Sequence, residues 1–185
     1  MTRTIAAVLL IVTAPAFADR NDFAIDYFTV NGETSLQLSS EIDAKGPVGE
    51  DGRRSDGYTR WRMSWNFGMN SDTAGCGVSR VAVDLDIHMT LPRWDMPSGA
   101  TPQLIARWNR YLAALRMHED GHRQRAEAAA DELRRTLARE RAPDCRTLEN
   151  RLDSMANALL AKLRARQAAY DRETKFGQNQ GVRRP

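Results

Sequence analysis

Polar and apolar positions alternate in two distinct rhythms along this chain. From Phe23 to Val30 the residues are aromatic and β-branched, and Asn31-Gly32 ends the run, which predicts a first strand. Thr34 or Ser35 can cap a following short helix, with Leu36, Leu38 and Ile42 on its buried side and Gly46-Pro47 at its end. Val48 to Gly57 is polar, glycine-rich and without period, hence a loop. Period two returns at Tyr58 to Met69, where Trp61, Met63, Trp65 and Phe67 share one face. The clearest strand is Cys76 to Leu91. Val81, Val83, Leu85, Ile87 and Met89 alternate there with Ala82, Asp84, Asp86, His88 and Thr90. One apolar and one polar face predict a small antiparallel sheet of about three strands, covered on one side.

After a loop over Pro92 to Ala100, the period changes to that of a helix. Thr101 is placed as N-cap with Pro102 at the first helical position. Leu104, Trp108, Leu112 and Leu115 begin a stripe that His122, Ala126, Ala129, Leu133 and Leu137 continue. Pro143 breaks it, and Leu148, Leu152, Met155, Leu159, Leu163 and Tyr170 mark a second helix. The short break predicts an antiparallel hairpin of two long helices. Both helices rise at about 1.5 Å per residue. Counted from the turn, His122 therefore falls opposite Arg166, and His118 opposite Tyr170. The segment Tyr170-Asp171-Arg172-Glu173-Thr174 should return beside the two histidines. The expected class is α+β: a sheet, a short helix and a long C-terminal helical hairpin.

The first residues carry a different signal. Arg3, the apolar run Ile5 to Val12 and Ala16-Phe17-Ala18 have the three parts of a cleavable leader, placing a signal peptide at 1–18. That run is too short for a bilayer, which needs about 20 residues, and no later stretch is apolar enough to span one. The expectation is a periplasmic or secreted protein, with a single zincin-like domain over 19–177 and a tail over 178–185. With 27 basic and 24 acidic residues the net charge is +3, or +2 once Arg3 is removed. The basic residues are interleaved with acids, which argues against a nucleic-acid partner. Cys76 and Cys145 are the two cysteines. In an oxidising compartment a lone pair reads as a disulfide. The absence of C-x-x-C spacing argues against a zinc-binding pair.

One motif carries chemistry. His118-Glu119-Asp120-Gly121-His122 is H-E-x-x-H, using two of the chain's three histidines on a helix found independently of it. Two imidazoles at i and i+4 share a face and can hold one zinc ion, and Glu119 can act as general base on the water that such an ion activates. Gly121 within a helix costs about 1 kcal/mol against alanine, which suggests close approach by another group. Catalytic zinc needs a third protein ligand. His88 lies on the polar face of its strand, and Glu127 sits too far along the same helix. Asp171 is the first choice, with Glu173 next.

Trp61 and Trp65 in T-R-W-R-M-S-W, the strand ending Leu91-Pro92-x-Trp94, M-H-E-D-G-H and Tyr170-Asp171-x-x-Thr174 occur in this order. In them the chain resembles a bacterial family of predicted secreted zinc-dependent proteases, domain of unknown function 922. The resemblance implies zinc at His118 and His122 and catalysis by Glu119, in a β-rich half followed by a helical half. The family pattern continues Tyr-Asp-x-x-Thr-x-His-Gly, whereas here Phe176 precedes Gly177. Two functions are therefore carried forward. One is a zinc peptidase acting on an unidentified peptide or protein, with Tyr170 a candidate to stabilise the oxyanion. The other is a non-catalytic envelope binding domain with a degenerate metal site.

Overall fold

A computed structural model describes residues 19–50 and 52–185; the expected leader over 1–18 lies outside them. In chain order the elements are β1 (Asn21–Asn31), α1 (Ser35–Lys45), β2 (Tyr58–Asp72), β3 (Gly75–Asp95), α2 (Pro102–Leu137), β4 (Arg141–Ala142) and α3 (Cys145–Thr174). A single 3-10 turn, Gln178–Gln180, follows. The class is α+β, as the two periodicities imply.

β3 is the centre of the sheet. β2 runs antiparallel along one side of it, from Tyr58 opposite Thr90 to Asp72 opposite Gly75. The other side is shared by β1, opposite Leu85 to Asp95, and by β4, opposite Cys76 and Gly77. β1 runs parallel to β3, so the sheet is mixed and not wholly antiparallel. The reason lies in the connection. β1 ends and β2 begins at the same end of the sheet, and α1 with its loop carries the chain past the place that β3 later fills. β3 also continues through Pro92 to Asp95, where a loop was expected, because β1 pairs with it there. Beyond Thr90 β2 no longer flanks β3, so a residue without an N–H is tolerated.

Thr34 caps α1 in a reciprocal capping box with Gln37. Leu38 and Ile42 form its buried pair, while Leu36, expected on that side, is exposed, two positions out of phase with Leu38. Thr101 caps α2 with Pro102 in the first turn, and Asp144 caps α3. The two long helices return on each other at Pro143. A disulfide between Cys76 and Cys145 fastens the start of β3 to the start of α3.

Two apolar clusters meet along α2. In one, Ala126, Ala129, Leu133 and Leu137 pack with Leu148, Leu152 and Leu163 of α3 onto Val83 and Leu85. In the other, Leu104, Trp108, Tyr111 and Leu115 pack with α1 onto Met89 and Leu91. The stretch from His118 to His122 lies at the seam, where the stripe of α2 passes from one cluster to the other.

Candidate metal centre

His118 and His122 are one turn apart on α2, with ring centroids 4.9 Å apart and planes nearly perpendicular. Both face α3. Asp171 Oδ1 lies 3.3 Å from His118 Nε2 and 2.9 Å from His122 Nε2. One donor atom from each residue falls within 4.8 Å of the others, the sole such cluster among the described residues. The helical register is the cause. His118 stacks on Tyr170, as counted from the turn, with centroids 5.0 Å apart. His122 meets Gln167, one place from Arg166. Glu173 is not in the cluster. His88 stands elsewhere, its Nδ1 3.0 Å from Asp26 and its Nε2 3.4 Å from Asp86. Glu127 is bound to Arg123 at 2.6 Å.

The far nitrogen of each imidazole is also held. His118 Nδ1 lies 2.9 Å from Gln180 Oε1, and His122 Nδ1 lies 2.7 Å from Gln167 Oε1. Gln167 Nε2 donates to the His122 carbonyl at 3.0 Å, which can only accept, so its amide oxygen must be the atom that faces the ring. An amide oxygen likewise only accepts, so it draws a proton to the Nδ1 it faces, while Asp171 draws one to Nε2. Neither glutamine was singled out from the sequence. Gln167 is four residues before Asp171 on the same face of α3, so the register could have found it. Gln180 lies beyond the end of α3, between Gly177 and Gly181, and gives no periodic signal.

Gly121 owes its place to Tyr170. A Cβ at Gly121 would lie 2.9 Å from Tyr170 Cε1 and closer still to the phenol oxygen. That hydroxyl donates to the His118 carbonyl at 3.3 Å and accepts from Gln180 Nε2 at 2.9 Å. The ring is buried, with the Arg125 guanidinium over its face. Tyr170 thus backs the histidines, and its hydroxyl is engaged with protein groups instead of being offered to an oxyanion.

Glu119 points the other way, toward the sheet, and is only 4% exposed. Thr59 Oγ1 donates to its Oε2 at 2.8 Å and lies 3.1 Å from its backbone oxygen. Gly57 leaves room for it, since a Cβ there would sit 3.1 Å from Oε1. Burial pushes the Glu119 carboxyl above its ordinary pKa, against the opposing pull of His122, Thr59 and His118. Asp171 is also desolvated, yet its hydrogen bonds to His118 and His122 hold it well below the usual carboxylate range. Burial works against a charged His122, but its hydrogen bond to Asp171 and the nearby Glu119 charge outweigh it and raise its pKa.

The family described as a bacterial protein of unknown function, DUF922, matches residues 25–178. This chain belongs to it. No curated protein and no solved structure matches the chain. The DUF922 match covers the sheet from Ile25 onward, both histidines, Glu119 and Asp171, and stops short of Gln180. It includes Phe176. Phe176 is 68% exposed in the left-handed turn after α3. Its N–H bonds the Asp171 carbonyl at 2.7 Å, and Gly177 packs on His118.

His118, His122 and Asp171 form a donor set that could hold a metal ion. Imidazole nitrogens and carboxylate oxygens are common metal ligands, and the far nitrogen of each ring has an outer partner in Gln180 or Gln167.

Proposed function

We propose that this DUF922 protein is an exported zinc-dependent peptidase. The observation that carries the reading is the convergence of His118 Nε2, His122 Nε2 and Asp171 Oδ1, with Glu119 buried next to His118 in the same turn of α2. The leader-like first residues and the disulfide support an oxidising compartment outside the cytoplasm.

In this reading His118, His122 and Asp171 hold the ion, and Asp171 takes the part that Phe176 cannot. When bound, zinc supplies the Lewis acidity that polarises a scissile carbonyl and acidifies water. Glu119 accepts the proton of the attacking water and returns it to the leaving amine. A carboxyl poised above its ordinary pKa suits both halves of that shuttle. Thr59 keeps Oε2 oriented.

Metal analysis of the mature protein and a peptide-cleavage assay with and without chelator test the reading. Glu119→Gln should abolish hydrolysis with zinc retained, because the amide keeps the shape but takes no proton. His118→Ala should lose the metal. Wild-type turnover by Glu119→Gln would sink the mechanism. A second reading, a non-catalytic envelope domain, draws on Phe176 and on the complete pairing of the histidines with protein groups. Absence of both zinc and cleavage would favour it.

A further inference from the structure

The residues after α3, expected as a tail, form a strap across α2. Gly177 turns the chain with φ of 78°, packed so close to His118 that a Cβ would lie 3.1 Å from its Cγ. Gln180 then reaches His118 Nδ1 and the Tyr170 hydroxyl. Val182 is seated in the cluster between α1 and α2. Arg184 ends the strap on Asp56, at 2.6 Å, and on Asp43, at 2.7 Å. Asp56 also accepts from the Tyr111 hydroxyl at 2.9 Å. The strap is thus fastened on both sides of Gln180.

Two acceptors compete for the His118 proton. Asp171 Oδ1, 3.3 Å from Nε2, draws it to that nitrogen, where it would block the lone pair a metal needs. Gln180 Oε1, at 2.9 Å from Nδ1, draws it the other way. A neutral imidazole carries one proton and must satisfy one of them. The carboxylate is the stronger acceptor, so Gln180 prevails only while it is held in place.

We infer that Gln180 is a positioning residue whose amide keeps His118 in the Nδ1–H tautomer, and that the strap anchored by Val182 and Arg184 is therefore part of the metal centre. The metal half of this inference rests on the proposed zinc reading, and the tautomer half stands without it. Gln167 does the same for His122 from within α3, where no strap is needed.

Two readouts on the mature, disulfide-intact protein test it. The first is the nitrogen-15 spectrum of His118 in chelated protein, at a pH where the ring is neutral. Wild type should show the proton on Nδ1. Gln180→Met, which keeps length but lacks an acceptor, should move it to Nε2. The second is zinc affinity by competition with a chromophoric chelator. Gln180→Met should weaken binding by about 10–100-fold, the usual loss for an outer partner of a ligating histidine. Gln180→Glu should restore it, since a carboxylate also accepts from Nδ1–H. Arg184→Ala should weaken binding in the same direction as Gln180→Met. Leu148→Ala, which loosens the core far from the strap, should leave both readouts unchanged.

An unchanged tautomer in Gln180→Met overturns the inference whether or not zinc binds. Wild-type protein that binds no zinc overturns the metal reading and, with it, the strap's place in a metal centre. Zinc binding that His118→Ala abolishes and Gln180→Met leaves intact overturns the positioning role alone.

Discussion

Replacing Gly121 by alanine should destabilise this protein, although the same change in an ordinary helix would stabilise it. Alanine at a mid-helix position gains about 1 kcal/mol over glycine. Here the added methyl enters space that the Tyr170 ring and hydroxyl occupy. Accommodating an extra carbon in a packed site costs about 1–3 kcal/mol. If the phenol moves aside, its bonds to the His118 carbonyl and to Gln180 are lost, at about 1 kcal/mol each. The steric cost and the two bonds, less the helical gain, leave a net loss of about 2–4 kcal/mol. For a chain of this size that is a fall in Tm on the order of 10 °C.

Urea unfolding followed by tryptophan fluorescence measures it, on oxidised protein in chelator so that no ligand contributes. The decisive comparison is a double-mutant cycle with Tyr170→Ala. That change empties the space, so Gly121→Ala should then become neutral or stabilising by up to about 1 kcal/mol. Equal effects of Gly121→Ala in the two backgrounds would refute the account, as would a single variant as stable as wild type.

Two further outcomes follow from the same geometry. Cys76→Ala with Cys145→Ala opens a bridge between residues 69 apart in sequence, and the chain-entropy estimate is a loss of about 4 kcal/mol. An unchanged urea midpoint would contradict it. In metal-free protein the Asp171 carboxyl is held low by its histidine partners, and His122 is held high chiefly by Asp171. The Asp171 contribution is complete above its unfolded value of about 3.9 and is lost as pH falls through its folded value. The His122 contribution is complete below about 6.5 and is lost as pH rises through its raised value. The stability difference between wild type and Asp171→Asn should therefore be largest between about pH 4 and 6.5. A difference that grows steadily toward pH 9 would show the pairing to be misread.

What could be read from sequence was whatever rests on local period. The leucine stripes and the break at Pro143 brought His118 opposite Tyr170 and His122 within one residue of its partner, because two helices that share a turn have a common rise. Alternation showed which face of β3 is buried. It carries no information on strand direction, so the parallel pairing of β1 was not visible, nor was the extension of β3 through Pro92 that depends on it. Leu36 misled because one apolar residue in the first turn of a short helix fits two phases equally well. Gln180, Val182 and Arg184 were invisible for a different reason. His118 lies 62 residues from Gln180 and Asp43 lies 141 from Arg184, and a polar string punctuated by glycines has no rhythm.

The seam between the two apolar clusters argues that these polar groups are not there for packing. The stripe of α2 is apolar before it and after it, at Leu115 and at Ala126, and leucine or alanine in the gap would join the clusters directly. Instead the seam holds two histidines, a buried glutamate and an aspartate. Desolvating such groups costs several kcal/mol per charge, and replacing a buried ion pair with apolar side chains is often neutral or stabilising. Nearly every polar atom has nonetheless been given a partner: Gln180 and Gln167 on the Nδ1 atoms, Asp171 on the Nε2 atoms, Thr59 on Glu119. Those partners come from β2, from α3 and from the strap, so three separate parts of the chain converge on four side chains. Gly57 and Gly121 give up side chains to make the room. A fold selected for stability alone has no use for that arrangement. It fits the proposed metal site, in which His118, His122 and Asp171 would present two imidazole lone pairs and one carboxylate oxygen, with Glu119 held by Thr59 on the sheet side of the same turn of α2.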